Sequence, residues 1–499
     1  MLLLGIDVGT SSIKVSVVEA ATRICIAAAQ YPEIESEIVA RQAGWAEQSP
    51  EMWWQHVQMA IKKLIATGLF NSKDIAAIGI AYQMHGLVCI DKNKQVLRDS
   101  IIWCDSRAVQ IGEQAFKAIG EEKSLAHLLN SPGNFTASKL AWVKENEPET
   151  YAKIDKILLP GDFISLKLTG EINTTIPSLS EGVFWDFKAN QLSDDVFTYF
   201  GFDKALIPDI LPVFSSYGLL MPAIADELLL TAGIPVTYKA GDQPNNALSL
   251  NVMEPGEVAA TAGTSGVIYG VSNQLAYDQQ SRINSFAHVN YMPPSLVDSS
   301  VEKVSIGVLL CINGTGILNR WLKNLAGNIS YQQMNEFAAH VPAGSEGVKI
   351  IPFGNGAERM LNNKVLNAHI LHLDFNKHGN AHLFRAAQEG IAFAFRYGLD
   401  IMRENKLQPK VIRAGKANLF LSDLFLDAFV NATNTPVELY NCDGSVGAAI
   451  GAGIGIGYYT SAKDAFDGNK SIKTVEPGNA KLFDELYEEW KESLTNLVK

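Results

Sequence analysis

The sequence is poor in cysteine, in positive charge and in long apolar runs. Five cysteines occur among its 499 residues, and none lies at the close spacing that structural zinc sites use. Thiols this few and this widely separated exclude a disulfide-stapled scaffold and favour reduced cysteines in a cytoplasmic protein. The five are Cys25, Cys89, Cys104, Cys311 and Cys442.

Positive charge is the second shortage. Lysine and arginine together number 41, against 53 acidic residues, which gives a net charge of −12. Nucleic acids and anionic membrane surfaces are bound through clustered positive charge, so we expect neither as a general partner.

Apolar runs are present but short. The amino-terminal run ends at Asp7, too early for the apolar region of a signal peptide. The glycine-rich run from Val446 to Tyr458 falls short of the roughly 20 residues that a membrane helix needs. We therefore expect no membrane span and a cytoplasmic location.

The length and the order of the patterns indicate more than one α/β domain. At roughly 100–200 residues per domain, the chain exceeds a single hydrophobic core. A buried-strand pattern at Leu2–Ile6 and alternating residues from Ile13 to Val17 predict a hairpin. Ser49 and Pro50 then mark the start of a helix, and Ile78–Ala81 returns to strand. Strands and helices in mixed succession favour an α/β architecture.

The opening hairpin is repeated half a chain later. Gly9-Thr10-Ser11 separates the first two predicted strands, and Gly263-Thr264-Ser265 separates two strands of the same pattern. We interpret this as an internal duplication. The sequence therefore predicts two related domains, residues 1–247 and 248–499, packed across a cleft.

A glycine followed by Thr-Ser at a tight turn can direct backbone N–H groups and hydroxyls at a phosphate oxygen. An ordinary hairpin turn is the alternative for either copy alone. Two copies in equivalent halves favour a pair of turns that grip a polyphosphate. Asp7, beside the first turn, would offer an oxygen to a hard cation such as Mg²⁺ that accompanies the phosphates.

Two further positions allow both a structural and a functional interpretation. Asp242 follows an apolar stretch and precedes a predicted helix, where it could cap that helix or act as a general base on an alcohol. His85, at the end of a predicted strand, could be a structural histidine or part of a pocket for a polyhydroxy compound.

A cluster of glycines near the carboxyl terminus resembles a dinucleotide-binding pattern only superficially. That pattern requires a strand before the glycines and an acidic residue about 20 positions later. These glycines fall within or at the end of a predicted helix, so we interpret them as sites of close helix packing. They are Gly447, Gly451, Gly453, Gly455 and Gly457.

Taken together, the motifs resemble the FGGY family of carbohydrate kinases and, within that family, the xylulokinases. The resemblance extends from about residue 2 to about residue 457 and is carried by several short segments. These are Gly5–Lys14, Gly44–Pro50 with Trp53-Trp54, Gln83–Leu87, Ile102–Arg107, Phe135–Trp142, Leu168–Glu171, Gly241-Asp242, Gly263–Val267, Arg320-Trp321 and Glu389–Ile391.

The resemblance implies an α/β fold of two actin-like, ribonuclease H-like ATPase domains that flank a catalytic cleft. It further implies that a ketopentose, with D-xylulose favoured, is phosphorylated at O5 by ATP with Mg²⁺. Asp242 would be the catalytic base, and Asp7 would hold Mg²⁺ directly or through water. The sugar would be bound by Met84, His85, Asp242 and Gln243. The nucleotide would be bound by Thr10, Ser11, Lys14, Gly263, Thr264, Gly316, Gly415 and Asn418.

Two departures from the family pattern keep alternatives open. Gln243 stands where xylulokinases have asparagine, and this Gly-Asp-Gln form is typical of glycerol kinases. Arg413–Asn418 stands where the family's adenosine loop is commonly Gly-Gly-Gly-Ala. Kinases of glycerol, ribulose or rhamnulose are therefore alternative hypotheses, as is a non-metabolic actin-like nucleotide switch. The sequence does not fix the oligomeric state, and a homodimer is compatible with it.

Overall fold

The computed structural model describes residues 1–293, 304–468 and 470–499 of the chain. The strands of the first half are β1 (Leu2–Val8), β2 (Ile13–Glu19), β3 (Cys25–Tyr31), β4 (Glu47–Gln48), β5 (Ile75–Tyr82), β6 (Val88–Ile90), β7 (Ser100–Ile101), β8 (Lys156–Leu158), β9 (Asn173–Thr174), β10 (Trp185–Asp186), β11 (Gln191–Leu192), β12 (Asp209–Ile210) and β13 (Val236–Gly241). The helices are α1 (Pro50–Ile65), α2 (Val109–Ile119), α3 (Glu121–Leu128), α4 (Thr136–Asn146), α5 (Pro148–Tyr151), α6 (Pro160–Thr169), α7 (Ile176–Glu181), α8 (Asp194–Phe200), α9 (Pro222–Leu228) and α10 (Asp242–Ser249).

The second half is built in the same mixed manner. Its strands are β14 (Glu257–Ala262), β15 (Gly266–Ser272), β16 (Asn284–Ala287), β17 (Ile306–Ile312), β18 (Lys349–Ile351), β19 (Ala357–Glu358), β20 (Lys364–Val365), β21 (His369–Leu371), β22 (Val411–Gly415), β23 (Val437–Tyr440) and β24 (Lys473–Val475). Its helices are α11 (Gly316–Leu325), α12 (Tyr331–Ala339), α13 (Asn380–Glu404), α14 (Asp423–Thr433), α15 (Gly444–Gly455), α16 (Ala462–Ala465) and α17 (Ala480–Val498).

The opening hairpin forms as predicted and organises the first sheet. Strands β1 and β2 pair antiparallel across the Gly9–Ser12 turn, and β3 pairs antiparallel with β2. On the other side of β1, β5 and then β13 follow in parallel, which gives the order β13-β5-β1-β2-β3. Because β1, β5 and β13 run parallel, their carboxyl ends meet at one edge of the sheet, where ligands of open α/β sheets bind.

The second sheet repeats this topology. Strands β14 and β15 pair antiparallel across the second Gly-Thr-Ser turn, β17 continues antiparallel beyond β15, and β22 and β23 follow β14 in parallel. Strands β16 and β24 extend the sheet at its two edges. The prediction of two related actin-like lobes is thereby confirmed, while the division of the chain at residues 247 and 248 stays a prediction.

Helix α15 belongs to the second half of the sequence but packs on the first sheet. Gly5 of β1 and Gly79 of β5 are paired neighbours in that sheet. An added Cβ would lie 1.7 Å from the Ser445 carbonyl oxygen at Gly5, and 1.9 Å from the Ala448 carbonyl oxygen at Gly79. The helix backbone therefore rests directly on the sheet, and only glycine permits this approach.

The helix contributes its own glycines to the same contact. A Cβ on Gly447 would meet the hydroxyl of Ser249, one on Gly451 would meet the ring of Tyr238, and one on Gly455 would meet the Thr237 backbone. Gly453 faces Tyr459, whereas Gly457 has open space around it. The predicted role in close packing is confirmed at four of the five glycines.

We expect Gly5→Ala to destabilise the protein by about 2–4 kcal/mol, because a backbone carbonyl on a packed helix cannot yield to the new methyl group. Thermal and denaturant unfolding would measure the loss. Gly478→Ala is the matched control, since a Cβ there meets nothing within 4 Å. It should change the free energy of unfolding by less than about 0.5 kcal/mol. Equal stability of the two variants would contradict the packing described for α15.

The lobes also touch through a segment inserted in the first half. The Asn130 side chain accepts from the Ser285 backbone N–H at 3.0 Å and donates to the Ser285 carbonyl at 2.6 Å. Ser180, on α7, accepts a hydrogen bond from the Ala287 backbone. These contacts join the inserted segment to β16. Within the described ranges, no helix is both long enough and apolar enough to span a membrane.

Candidate active site

Thr10 of the first glycine turn is held by three of the segments that carry the sequence motifs. Its hydroxyl donates to the Gln83 side-chain oxygen at 3.0 Å and accepts from the Trp103 indole at 2.9 Å. The Gln48 side chain donates to the Thr10 carbonyl at 2.8 Å and accepts from the Gln83 amide at 3.1 Å. Residues scattered over about one hundred positions are therefore a single polar network at the base of the cleft.

The other predicted residues of this turn are more open. Ser11 is exposed, and its carbonyl accepts a hydrogen bond from the Ser36 backbone. Lys14 is exposed and forms a salt bridge with Asp443, its Nζ lying 3.6 Å from a carboxylate oxygen. Asp443 caps helix α15, so Lys14 connects the first turn to the helix that covers the sheet.

Asp7 and Asp242 share the edge where the parallel strands end. Asp7 is near the end of β1, and Asp242 is the first residue of α10, directly after β13. Gly241 caps that helix, so the capping role considered for Asp242 does not apply. The Asp242 side chain instead accepts hydrogen bonds from the backbone and side chain of Gln243.

Both carboxyl groups hold their protons more tightly than usual. Desolvation between the lobes, followed by the charge of Asp7, raises the pKa of Asp242 to about 7, although hydrogen bonds from Gln243 oppose the shift. Desolvation, followed by the charge of Asp443, raises the pKa of Asp7 to about 6, against the opposing effect of Lys14. Such raised values, produced by burial and a like-charged neighbour, are typical of catalytic carboxylates.

A third carboxyl group, Glu181, was missed by the sequence reasoning. It ends helix α7, and a Cβ on Gly241 would lie 2.8 Å from its Oε2 atom. Its Oε1 atom is buried and has no hydrogen-bond partner among the described residues. Desolvation, reinforced by the charge of Asp242, raises the pKa of Glu181 well above the ordinary range of a glutamate. No sequence signal distinguished this glutamate from a surface residue.

Met84 and His85, the predicted sugar-binding residues, pack near Gly241 and Glu181, and their role stays a prediction. Met84 is buried, and its Cγ atom would be 2.6 Å from a Cβ on Gly241. His85 has a φ of 63°, which is uncommon for a residue with a side chain, and its Nδ1 atom lies 3.0 Å from the Glu181 carbonyl oxygen. The rings of Phe135 and, from the second lobe, Phe286 pack against it with centroids 4.9 and 5.4 Å away.

A buried lysine supports the unusual backbone of His85. Lys139 is fully buried, and its ammonium donates to the His85 carbonyl at 2.8 Å and to the Ile102 carbonyl at 3.0 Å. It joins the Gln83–Leu87 and Ile102–Arg107 segments, both of which carry the family resemblance. Desolvation lowers the pKa of Lys139 to about 7. Desolvation and the charge of Lys139 also lower the pKa of His85 to about 3, so this histidine is neutral.

The second glycine turn forms the wall of a separate cavity of about 430 Å³ in the second lobe. The Gly263 carbonyl accepts from the Gly316 backbone N–H at 2.9 Å, which fixes the turn to the start of α11. Four of the predicted nucleotide-binding residues line this cavity together. They are Gly263, Thr264, Gly316 and Asn418.

Other lining residues were not assigned a role from the sequence. Asn319, Arg320, Tyr331, Asn335 and Ser422 contribute polar groups or an aromatic ring to the same cavity. A cavity of this size, with polar groups converging on a few positions, is typical of small-molecule sites.

The remaining predicted nucleotide residue, Gly415, ends β22 and is not among the residues that line the cavity. A Cβ at this position would meet the Cys442 thiol at 3.0 Å. Arg413, two residues earlier, forms salt bridges with Glu257 and Glu438 at 2.9 Å each. The two ends of the Arg413–Asn418 segment therefore have different surroundings. Arg413 forms salt bridges with neighbouring strands, whereas Asn418 lines the cavity.

The chemistry of Asp7 fits a site for a hard cation. Its carboxyl group is desolvated and adjoins Gly444, where an added Cβ would lie 2.3 Å from Oδ2. The described residues contain no group of three or more His, Cys, Asp or Glu arranged to hold a metal ion. Mg²⁺ usually binds one or two carboxylates together with substrate phosphates, so Asp7 fits an ion that arrives with a nucleotide.

Twin lobes of this topology, with a Gly-Thr-Ser turn in each and a cleft between them, are the architecture of actin-like phosphotransferases. Family comparison makes the assignment specific. The N-terminal domain of the FGGY family of carbohydrate kinases matches residues 2–249, and its C-terminal domain matches residues 258–456. The chain therefore belongs to the FGGY family and is a carbohydrate kinase, an enzyme that uses ATP to phosphorylate a sugar.

Individual relatives agree with this assignment. A xylulose kinase from Bacillus subtilis (strain 168) is 28% identical over 472 residues, which covers 93% of this chain and 90% of that protein. The crystal structure of a xyloylose kinase from Brucella ovis superposes with a TM-score of 0.89 at 25% identity, covering 100% of this chain and 99% of the other. A glycerol kinase from Plasmodium falciparum, at 19% identity and a TM-score of 0.88, shares the fold over 100% of this chain and 98% of its own.

Proposed function

We propose that the protein transfers the γ-phosphoryl group of ATP to O5 of D-xylulose, which yields D-xylulose 5-phosphate and ADP. The observation that carries this proposal is the position of Asp242, a desolvated carboxyl group where β13 ends and α10 begins, directly after the glycine that packs against Met84. The similarity to xylulose kinases supports the choice of acceptor.

In this proposal the second lobe binds the nucleotide and the first lobe binds the sugar. The cavity lined by Gly263, Thr264, Gly316 and Asn418 binds the nucleotide, and the first turn, with Thr10, Ser11 and Lys14, faces its phosphates. Met84, His85 and Gln243 bind the sugar. Closure of the lobes would exclude water, so that the sugar hydroxyl rather than water accepts the phosphoryl group.

Asp242 accepts the proton of the sugar hydroxyl in this proposal. Its ionised carboxylate accepts the proton of the sugar hydroxyl as the oxygen bonds to phosphorus, and it releases that proton to solvent after the product leaves. Asp7 would hold Mg²⁺, which supplies positive charge against the phosphate oxygens. Backbone N–H groups of the glycine turns add to this local positive potential, so an acidic protein can bind a nucleotide.

Gln243 favours one alternative acceptor, glycerol. It lies next to the proposed base and its hydrogen bonds lower the pKa of Asp242, so its identity bears directly on the acceptor. A screen of D-xylulose, L-ribulose, D-ribulose, L-rhamnulose and glycerol in an ADP-release assay tests the proposal. We expect the highest kcat/KM with D-xylulose. A preference for glycerol would refute the proposed acceptor, and ADP release that no polyol stimulates would indicate a nucleotide switch.

The raised pKa of Asp242 predicts an acid limb in the pH dependence of the reaction. The base must be ionised, and with a pKa of about 7 in the free enzyme it becomes protonated as the pH falls through neutrality. We expect kcat/KM for the sugar, measured at low MgATP, to level off above about pH 8 and to fall about tenfold per unit below about pH 6.

Asp186→Asn provides a control for this profile. Asp186 is a carboxylate of the first lobe that accepts a hydrogen bond from His127 at 2.9 Å, and it has no role in the proposed reaction. That variant should keep the acid limb. Full recovery of activity on return to pH 8 would exclude acid unfolding as the cause of the fall in kcat/KM at low pH. A profile that stays flat between pH 6 and 8 would contradict Asp242 as the titrating base.

A further inference from the structure

A buried glutamine connects two walls of the cavity that we propose for the nucleotide. Gln388 lies on α13, which packs against both α12 and α14, and its side chain is fully buried. Its Nε2 atom donates to Oδ1 of Asn335, on α12, at 2.8 Å. Its Oε1 atom accepts from the hydroxyl of Ser422, directly before α14, at 2.8 Å. Asn335 and Ser422 both line the cavity, so both hydrogen bonds of this side chain end on a cavity wall.

The three side chains form a directed chain of hydrogen bonds. The Phe425 backbone N–H donates to the Ser422 oxygen at 3.2 Å, which caps α14 and leaves the Ser422 proton for Gln388. Gln388 then donates to Asn335, whose oxygen is thereby occupied. The Nδ2 group of Asn335 has no hydrogen-bond partner among the described residues. Its N–H donors are therefore what this amide offers to a ligand in the cavity.

The packing of α13 does not by itself require a polar side chain at Gln388. An amide buried between helices loses its hydrogen bonds to water, and the two hydrogen bonds within the protein offset that cost. An apolar side chain of the same shape would fill the same space. The amide adds a fixed orientation, because it holds the Asn335 oxygen and leaves the Asn335 N–H groups for the cavity.

The wall of the cavity that contains Asn335 suits a planar base. Tyr331 lies four residues earlier on α12, hence on the same face of that helix, and it lines the cavity together with Leu421. Aromatic and apolar side chains provide surfaces on which a base can stack. The backbone N–H groups suited to phosphate belong instead to the turn at Gly263, on a different element. Adenine also presents ring nitrogens that accept hydrogen bonds, which the Asn335 amide can donate.

We propose that Gln388 is a positioning residue for the nucleotide, holding Asn335 so that its amide donates a hydrogen bond to a ring nitrogen of the adenine base. Gln388 itself touches no part of the nucleotide. This inference rests on the proposed function, in which the cavity binds ATP, and it adds the part of ATP that these residues recognise. Ribose hydroxyls also accept hydrogen bonds, so the experiment separates the base from the ribose.

Calorimetric titration of the full-length protein with ATP and with inorganic tripolyphosphate, which lacks base and ribose, tests the proposal. In Gln388→Met, which keeps the approximate shape but removes the amide, we expect affinity for ATP to fall about threefold to tenfold, as for the loss of one neutral hydrogen bond. Its affinity for tripolyphosphate should change less than about twofold, because the phosphates contact other elements. Asn335→Asp can still accept from Gln388 but has no N–H to donate, so it should lose at least as much affinity for ATP.

Two further titrations show how Gln388 acts. In the background of Asn335→Ala, Gln388→Met should cause no further loss of ATP affinity, because residues that act through one contact are not additive. With 2′,3′-dideoxy-ATP, which lacks both ribose hydroxyls, Gln388→Met should cause the same loss of about threefold to tenfold. A loss that disappears with this analogue would assign the contact to the ribose and overturn the assignment to the base.

Gln332→Met is the matched control. Gln332 also lies on α12, but it is exposed, donates to Glu336 at 3.0 Å and is not among the residues that line the cavity. This variant should bind ATP as the wild type does. An equal fall for ATP and tripolyphosphate in Gln388→Met, an additive loss in the double variant, or unchanged affinity for ATP would each overturn the role of Gln388. If Gln388→Met does not fold, Asn335→Asp decides, and unchanged affinity for ATP in that variant refutes the assignment.

The titrations with ATP contain no sugar, which keeps this inference apart from the choice of acceptor. A wild type that binds ATP but does not phosphorylate D-xylulose would refute the proposed acceptor, and the titrations would still decide the role of Gln388. A wild type that binds no ATP would refute both the proposed function and this inference.

Discussion

Asp242→Asn is expected to lower kcat for sugar phosphorylation by about 10³-fold, within the range attributed to general bases. Asparagine preserves the shape of the side chain but cannot accept the proton that the sugar hydroxyl must lose. The cavity that we propose for the nucleotide is lined by residues of the other lobe, so the Kd for ATP should change less than about threefold. A coupled ADP-release assay and calorimetric titration with ATP would measure the two quantities.

The control for this variant is Asp186→Asn, which removes a carboxylate of the same lobe that is paired with His127. It should keep kcat within about twofold of the wild type, as is usual for substitutions away from a functional site. Near-normal turnover in Asp242→Asn would show that another group accepts the proton. Loss of ATP binding together with turnover would instead indicate damage to the fold.

Gly316→Ala is expected to lower kcat/KM for ATP by roughly 10²-fold, the cost associated with a displacement of about 1 Å in a reacting group. A Cβ at Gly316 would lie 2.4 Å from the Gly263 carbonyl oxygen. That oxygen belongs to the second glycine turn and is held by both the Gly316 backbone and the Thr315 hydroxyl at 2.9 Å. The added methyl group must therefore displace the turn that we propose binds the phosphates.

Initial rates with ATP and the sugar varied separately would locate the defect of this variant. The KM for the sugar should stay within about twofold, because the sugar residues lie on the first lobe. Gly478→Ala again serves as the glycine control, since nothing lies within 4 Å of its added Cβ. A variant with unchanged KM for ATP would argue against a phosphate-binding role for this turn.

Much of the architecture could be predicted from the sequence because it is encoded in local patterns. The two hairpins with their Gly-Thr-Ser turns and helix α1 after Ser49 and Pro50 follow from periodicity and capping. The repeat of one turn then indicated that the two lobes share a topology, which the strand orders of the two sheets confirm.

The site was only partly predictable, because burial depends on contacts far apart in the chain. The motifs pointed to Asp242, Met84 and His85, whose roles stay predictions, but nothing local distinguishes Glu181 from an exposed charged residue. Its burial arises where α7 meets Gly241. The glycines of α15 indicated close packing, but their spacing could not show that the partner is the first sheet.

The packing of α15 also determines when, during synthesis, the first sheet can be covered. The sheet of the first lobe is complete once β13 has left the ribosome, yet the face that carries Gly5 and Gly79 has no cover until residues 444–455 follow. Domains usually fold as units during synthesis, with the amino-terminal one first. Here the contact of α15 with the first sheet forms only after about two hundred further residues have been synthesised.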